Sequence, residues 1–271
     1  MADKLIIGFL GGGNMARAII GGLAAKRPDA QVHVVDHHPE KLQKLVDDFG
    51  AVAHASVGPW IGQCSLVVLA VKPQNMKAAV EPIVPFLNPE GAALSIAAGI
   101  EASTLKAWLG GYPVLRAMPN TPAMAGCGTT GFWAGEDASA PLVAAAQSVL
   151  ESVGVVVRVQ DEAGIDLVGA IPGSGPAYVF RFMEALARAG QARGLSEKDA
   201  AALALGTVYG AAVLAKESGE PFGRLRENVT SKGGTTARAL EVFNRLDIDG
   251  MVDQAVQAAL DRTAEMKALF R

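Results

Sequence analysis

Residues 5–16 read L-I-I-G-F-L-G-G-G-N-M-A, an apolar run that ends in three consecutive glycines. The run has the length of a short buried strand, and helical periodicity begins at about Asn14. Gly11, Gly13 and Ala16 give the spacing G-x-G-x-x-A, in which backbone N–H groups at a helix start approach a pyrophosphate. The stretch therefore predicts a strand, a tight turn and a helix that open a dinucleotide-binding unit.

The first 160 residues alternate short β-branched runs with helical patterns. After the first strand, strands are expected at 32–35, 66–71, 92–96, 114–117 and 155–159, and helices at about 14–25, at 39–49 and from Pro73 onward. Strands that alternate with helices predict parallel pairing, right-handed crossovers and helices on both faces of the sheet. Residues 1–160 are therefore expected to form a doubly wound α/β domain.

The remaining residues, 161–271, have a helical pattern throughout. Helices are expected at 163–170, 176–193, 196–217, 235–243 and 251–270, and Ser196 with Asp199 marks one helix start. Alanine-rich segments such as A-A-L-A-L-G allow helices to approach closely and suit burial against a second copy of the chain. A monomeric bundle would give the same pattern, but we favour an all-α dimerisation domain.

Composition narrows the classes of function. The 271-residue chain has a net charge of −3 and no basic cluster, which disfavours nucleic-acid binding. No apolar run approaches the roughly 20 residues of a membrane span, and the N-terminus lacks a basic segment typical of secretion signals. Cys64 and Cys127 form no disulfide or metal pattern, and the spacing of the four histidines matches no zinc motif. We expect a cytoplasmic protein without a metal.

The second predicted strand ends at Asp36, which lies 25 residues after Gly11. A carboxylate at this position can bind the adenosine ribose hydroxyls and disfavour a 2′-phosphate, which favours NADH slightly. Against this, His37, His38 and Lys41 follow and suit a phosphate. Asp36 can alternatively cap the helix that begins at Pro39.

Three further strand ends carry candidate coenzyme contacts, because ligands bind at the carboxyl edge of such sheets. In A-V-K-P at 70–73, Lys72 can meet a phosphate or ribose, or be solvated. In I-A-A-G at 96–99, small residues let a nicotinamide approach. In M-P-N-T-P at 118–122, Asn120 can hold a loop or a carboxamide.

A hydroxyl-rich stretch lies far downstream, where residues 227–240 read E-N-V-T-S-K-G-G-T-T-A-R-A-L. A simple turn needs one glycine and one capping residue, and this one has several of each. Its hydroxyls either cap the helix that follows or help that helix start to bind an anion.

Together these motifs resemble the pyrroline-5-carboxylate reductases over essentially the whole chain. The resemblance also runs through G-S-G-P-A-Y at 173–178 and S-K-G-G-T-T at 231–236, which are more specific than the glycine turn. It implies an N-terminal Rossmann domain and a helical domain that interlocks with its twin, in homodimers or pentamers of dimers. The implied reaction is hydride transfer from NADPH or NADH to the C=N carbon of 1-pyrroline-5-carboxylate, which gives L-proline in the last step of proline biosynthesis.

The resemblance also implies the site residues. The coenzyme contacts that it implies lie in the glycine turn and at strand ends: Leu10, Gly11, Gly12, Gly13, Asn14, Met15, His38, Ala70, Val71, Lys72, Pro73, Ala97 and Ala98. The strand-end positions of Asp36 and Asn120 add these two residues to the expected coenzyme contacts. Expected substrate contacts lie in the hydroxyl-rich stretch: Asn228, Ser231, Gly234, Thr235 and Thr236. Ser231 and the N–H groups of Gly234 and Thr235 would bind the carboxylate. The hydroxyl of Thr236 would meet the ring nitrogen as the catalytic group, because the helical half contains no histidine.

Two positions depart from the family pattern. Many relatives carry an asparagine where this chain reads A-S-V-G at 55–58, and Lys232 stands where proline is common. Asp161 or Glu162 is expected to orient the substrate loop.

Two other functions compete with this interpretation. One is a related reductase, such as a hydroxyacid dehydrogenase or an imine reductase, but Lys198 and Lys216 lack the surroundings of a catalytic lysine. The other is a nucleotide-binding protein without turnover, which the intact 231–236 segment disfavours.

Overall fold

Eight strands form one sheet in the first part of the chain, in a computed structural model that describes residues 5–270. The strands are β1 (Ile6–Leu10), β2 (Gln31–Val35), β3 (Val52–His54), β4 (Leu66–Leu69), β5 (Ala92–Ser95), β6 (Val114–Met118), β7 (Gly128–Ala134) and β8 (Gly154–Arg158). Their order is β3-β2-β1-β4-β5-β6-β7-β8. The first six follow the dinucleotide-binding order, which places a ligand crevice where the order reverses, beside β1 and β4.

The centre of the sheet is apolar on both faces. β1 pairs in parallel with β2 and β4, and Ile7 aligns with Val32 on one side and Leu66 on the other. Ile7 and Phe9 are fully buried, as expected of a strand covered by helices on both sides. The predicted α/β class is therefore confirmed.

The expectation of parallel pairing is wrong at one pair of strands. β6 and β7 are antiparallel, with Ala117 opposite Phe132. Residues 119–127 connect them, and a parallel crossover needs a dozen residues or more, so the chain has to reverse. The short edge strand β3 and the glycine-containing β7 were not predicted.

Eleven α-helices are described within residues 5–270. They are α1 (Asn14–Lys26), α2 (Pro39–Phe49), α3 (Met76–Val80), α4 (Ala102–Trp108), α5 (Ala140–Glu151), α6 (Gly164–Val168), α7 (Gly175–Gln191), α8 (Glu197–Ser218), α9 (Phe222–Asn228), α10 (Thr235–Arg245) and α11 (Ile248–Ala268). The predicted start of α8 is confirmed, because Ser196 Oγ accepts the N–H of Asp199 at 3.1 Å. A π-helical turn, Gly169–Gly173, follows α6 directly and overlaps the end of the helix expected at 163–170.

Contacts divide the chain into two units. One contains the sheet, up to Ser174, together with the residues from Ala258 onward, and the other is the helical segment Gly175–Gln257. The expected division at residue 160 marks where the strands end and stays a prediction. In the helical unit α8 is 22 residues long and is the one described helix apolar enough to cross a membrane by length and composition alone.

Candidate functional site

The glycine turn after β1 is shaped by contacts that only glycine permits. Gly11 has φ +98°, and its N–H donates to Val35 O at 2.8 Å. A Cβ on Gly11 would lie 2.9 Å from Ala70 O, so any side chain here would strike the end of β4. Gly11 therefore lets the chain turn tightly between β2 and β4.

Gly13, in contrast to the crowded Gly11, has open space where a side chain would lie. It is the residue before the first helical turn of α1, with φ −70° and ψ −179°, and no side chain caps the helix. Apart from Gly13 itself and its two chain neighbours, no described atom lies within 4 Å of the position of a Cβ on Gly13. The space beside Gly13, at the start of α1, is therefore open, and binding of a pyrophosphate at a helix start requires such space.

Asp36 fastens this turn to the end of β2. Its Oδ2 accepts the N–H of Gly12 at 2.7 Å, and its Oδ1 contacts the N–H and Nδ1 of His38 at 2.9 and 2.7 Å. Burial raises the pKa of Asp36, but the hydrogen bonds from Gly12 and His38 outweigh burial and leave the pKa below its usual value. Asp36 is not the N-cap residue of α2. That residue is His38, and its side chain makes no capping hydrogen bond.

A cavity of about 250 Å³ adjoins Asp36 and the glycine turn. Its walls come from the ends of β1 and β2, the segment after β3, and α3; they include Gly11, Asp36, His37, Ser56, Val57 and Val71. Apolar walls with a few polar groups suit a flat heteroaromatic base with its ribose. Ser56 lies in this wall, in the segment 55–58 that was expected to depart from the family pattern. His37 lines the cavity, whereas the expected contact His38 turns toward Asp36.

An aromatic stack supports the Ser56 wall. Trp60 Nε1 donates to Ser56 O at 3.1 Å. The rings of His54 and His33 both lie nearly parallel to Trp60, with centroids 4.2 and 5.6 Å away. His33 Nδ1 and His54 Nε2 are 2.9 Å apart, so one of them donates to the other. Burial, and secondly the neighbouring His33, lower the pKa of His54.

The candidate residues at the other strand ends differ in how exposed their side chains are. Lys72 is exposed at the end of β4, and Ala97 is buried at 6% exposure while Ala98 is partly open. Asn120 donates to Pro172 O and accepts the N–H of Thr129, both at 2.9 Å. Asn120 therefore holds its loop, which was the first of its two expected roles, and its coenzyme contact stays a prediction.

Glu162 accepts a hydrogen bond from the end of the turn between β5 and α4. Its Oε1 accepts the N–H of Ala102 at 2.6 Å and contacts Arg116 Nη1 at 2.8 Å. Arg116 lies in the middle of β6 and is 1% exposed. Asp161 Oδ1 instead accepts the N–H of Gly164 at the start of α6. Orientation of the substrate loop by either carboxylate stays a prediction.

In the helical unit, the hydroxyl-rich stretch forms the connection between α9 and α10. α10 begins at Thr235 after Gly234, and no side chain caps it. Ser231 Oγ lies over Gly234, where a Cβ would approach it to 2.4 Å, and Gly233 has φ +72°. The capping alternative is therefore not what the structure adopts, and the N–H groups at the start of α10 remain without a capping side chain.

Within residues 5–270, the hydroxyls of Ser231, Thr235 and Thr236 form no hydrogen bond with another residue. By contrast, Thr230 Oγ1 donates to Arg226 O at 2.6 Å. Asn228 Nδ2 donates to Glu220 Oε2 at 3.1 Å. The three expected substrate hydroxyls are thus available to a ligand, whereas Thr230 is not.

Two family models match the chain. The model described as pyrroline-5-carboxylate reductase dimerisation matches residues 162–266, and the one described as NADP oxidoreductase coenzyme F420-dependent matches residues 6–99. The first range contains α7 to α10, including the apolar helix α8, and the second contains the glycine turn and Ala97.

Known proteins match nearly the whole chain. The pyrroline-5-carboxylate reductase of Pseudomonas aeruginosa is 42% identical over 262 residues, which cover 96% of each chain. The structure of the enzyme from Coxiella burnetii has a TM-score of 0.94 at 35% identity, covering 97% of this chain and 99% of that one. A pyrroline carboxylate reductase of Plasmodium falciparum, solved with NADP bound, has a TM-score of 0.82 at 26% identity, with coverage of 98% and 99%.

Proposed function

The chain belongs to the pyrroline-5-carboxylate reductase family, and we propose that it reduces the C=N bond of 1-pyrroline-5-carboxylate to L-proline with NADH or NADPH as its coenzyme. The observation that carries the proposal is the start of α10, where three unpaired hydroxyls surround an uncapped helix N-terminus. The substrate has the complementary groups, a carboxylate and a ring nitrogen.

The sheet unit supplies the coenzyme site. The open N–H groups after Gly13 would bind the pyrophosphate, and the cavity beside Asp36 would take the adenosine. Lys72, exposed at a strand end, would contact phosphate or ribose. Ala97 and Ala98 would lie against the nicotinamide, because their small side chains let the ring approach the backbone. When bound, the reduced nicotinamide supplies the hydride.

The helical unit supplies the substrate site. The hydroxyl of Ser231 and the N–H of Thr235 would bind the carboxylate, assisted by the partial positive charge of the α10 helix start. The N–H of Gly234 now donates to Ser231 O at 3.0 Å, and it would join them by exchanging that bond for the substrate. Asn228 would touch the nicotinamide or the substrate, through the amide that now donates to Glu220.

The Thr236 hydroxyl is proposed to accept a hydrogen bond from the protonated ring nitrogen. This contact favours the iminium form, which is the better electrophile. When the hydride adds to the carbon, the C=N electron pair moves to the nitrogen, which already holds its proton. The hydroxyl thus needs only to hold this proton in place, and positioning supplies much of the rate.

We also propose a cytoplasmic homodimer, with a pentamer of dimers as the larger assembly. The exposed apolar side chains of the helical unit support the homodimer, including Tyr209 at 69% exposure and Leu203 at 58%. Burial of such a surface in a second copy removes it from water.

The test is an assay that follows oxidation of NADH and of NADPH with 1-pyrroline-5-carboxylate. The Thr236→Ala variant should have kcat reduced by about 10²- to 10³-fold with coenzyme Kd unchanged. Thr230→Ala is the matched control, because its hydroxyl is already bonded to Arg226 O, and it should change kcat less than about threefold. Absence of wild-type turnover with either coenzyme would refute the proposed function. A normal kcat for Thr236→Ala would refute the role of that hydroxyl alone.

A further inference from the structure

The turn between β5 and α4 contacts the last turns of α11, within the same unit. Gly99 in this turn has φ +72°, and a Cβ on it would lie 3.0 Å from the Cβ of Met266. The partly buried Phe270 packs against the core cluster that includes Ala97 and Ile100. The C-terminal helix therefore rests directly on the segment expected to contact the nicotinamide.

Lys267 lies between two carboxylates at this contact. Its Nζ is 2.5 Å from Asp166 Oδ2 and 3.7 Å from Glu101 Oε1. The Lys267 side chain is 14% exposed, and those of Asp166 and Glu101 are 21% and 28% exposed. Partly buried charges are screened less by salt than surface charges. The ammonium group of Lys267 is therefore expected to attract both carboxylates, which would otherwise repel each other.

A second pair of charged side chains, Glu162 and Arg116, also holds the β5–α4 turn. Ala102 directly follows Glu101 and donates its N–H to Glu162, which is paired with the buried Arg116. Charged side chains from α11, from α6 and from the segment before α6 thus converge on the residues between Ala98 and Ala102. None of these side chains belongs to the expected coenzyme or substrate contacts.

We propose that Lys267 is a positioning residue for the coenzyme: by bridging Glu101 and Asp166, it holds the β5–α4 turn where Ala97 and Ala98 can receive the nicotinamide. The inference rests on the proposed function, since it concerns the same coenzyme site. Lys267 acts through the turn and does not itself touch the coenzyme or the substrate.

Removal of the ammonium group would leave Glu101 and Asp166 facing each other across the vacated position. Their repulsion would displace Glu101, the residue before the first turn of α4, and with it the backbone that leads back to Ala98. Small misplacements in a reacting geometry can reduce the rate about 10²-fold. Binding of the nicotinamide should therefore weaken before the fold is lost.

The test measures the Kd of NADH and of NADPH by calorimetry, without substrate, for Lys267→Met and for the matched control Arg262→Met. Arg262 lies on the same helix and pairs with Glu265, but both side chains are exposed, at 66% and 63%. Lys267→Met should raise the coenzyme Kd about tenfold while changing the KM of pyrroline-5-carboxylate less than about twofold. Arg262→Met should change neither by more than about twofold. Lys267→Arg keeps the charge and should restore the Kd to within about threefold of wild type.

A Kd for folded Lys267→Met within twofold of wild type would overturn the inference, as would a Lys267→Arg variant as defective as Lys267→Met. If Lys267→Met does not fold, Glu101→Gln removes the longer of the two ion pairs of Lys267 and should still raise the Kd about threefold. An unchanged Kd for folded Glu101→Gln would then overturn it. Because Kd is measured without substrate, a wild-type enzyme that binds coenzyme but lacks turnover refutes the proposed function and not this inference.

Discussion

The substitution Gly13→Ala separates the folding role of the glycine turn from its proposed role in binding phosphate. Gly13 has φ −70° and ψ −179°, which alanine adopts readily, and apart from Gly13 and its two chain neighbours no described atom lies within 4 Å of the added Cβ. Alanine restricts the unfolded chain and so stabilises the fold by about 0.4–1 kcal/mol. Alanine is also the poorer N-cap residue, which costs about 0.5–1 kcal/mol. The two contributions nearly cancel, so the free energy of unfolding should change by less than about 0.5 kcal/mol.

Coenzyme binding should respond very differently. The methyl group would enter the open space beside Gly13, at the helix start where the pyrophosphate is expected to bind. Loss of one hydrogen bond to a charged group costs about 1.5–3 kcal/mol. At about 1.4 kcal/mol per factor of ten, the Kd of NADH or NADPH should rise about 10- to 150-fold.

Gly11→Ala provides the contrast. Gly11 has φ +98°, and a Cβ would lie 2.9 Å from Ala70 O and 3.1 Å from Val71 Cγ1. Backbone strain alone costs about 1–3 kcal/mol, so this variant should lose stability as well as coenzyme. Thermal denaturation and calorimetric titration of both variants test the distinction. If Gly13→Ala binds coenzyme as tightly as the wild type, the start of α1 is not the phosphate site, and the reasoning fails.

Three further predictions concern neighbouring groups. Asp36→Ser should raise the ratio of kcat/KM for NADPH to that for NADH, because the carboxylate that disfavours a 2′-phosphate is gone; an unchanged ratio would leave Asp36 with only its contacts to the turn. Gly234→Ala should raise the KM of pyrroline-5-carboxylate about tenfold with coenzyme Kd unchanged, because the new Cβ displaces Ser231 Oγ; an unaltered KM would contradict the carboxylate site. The pKa of His54 is lowered in the folded protein, so the stability associated with its neutral form is present above its unfolded pKa of about 6.5 and is lost as the pH falls through the folded value. Urea midpoints between about pH 7 and pH 5 should therefore decrease less in His54→Gln than in the wild type, and parallel decreases would exclude His54 as the source.

The parts of the fold that could be predicted are those with a local signal. β1, β4 and β5 consist mainly of apolar residues, because parallel strands at the centre of a sheet are covered on both faces. β7 lacks that signal, since G-T-T-G-F-W-A contains two glycines and two threonines. The length of the connection between β6 and β7 indicates the antiparallel direction of β7, because nine residues are too few for a parallel crossover.

In the candidate site, too, one part has a local signal in the sequence and another part has none. Ser231 to Thr236 lie together in the sequence, so their density of hydroxyls is visible without a structure. Lys267 and Asp166 are 101 residues apart, and nothing local distinguishes Lys267 from other helical lysines. A site built on one helix start can be found from sequence, whereas support built from distant charges cannot.

The charged side chains around the β5–α4 turn are better explained as fixing the position of that turn than as stabilising the fold. A buried ion pair is often no more stabilising than apolar side chains of similar volume, while loss of one partner costs about 3–5 kcal/mol. Arg116 is 1% exposed, and its Nε has no hydrogen-bond partner within residues 5–270, so stability alone would favour an apolar residue in β6. Yet the Glu162 oxygen that pairs with Arg116 also accepts the N–H of Ala102, and Lys267 bridges Asp166 to the adjacent Glu101. Directional contacts of this kind fix where a backbone segment lies, which apolar packing does less well, and the segment they fix is the one proposed to receive the nicotinamide.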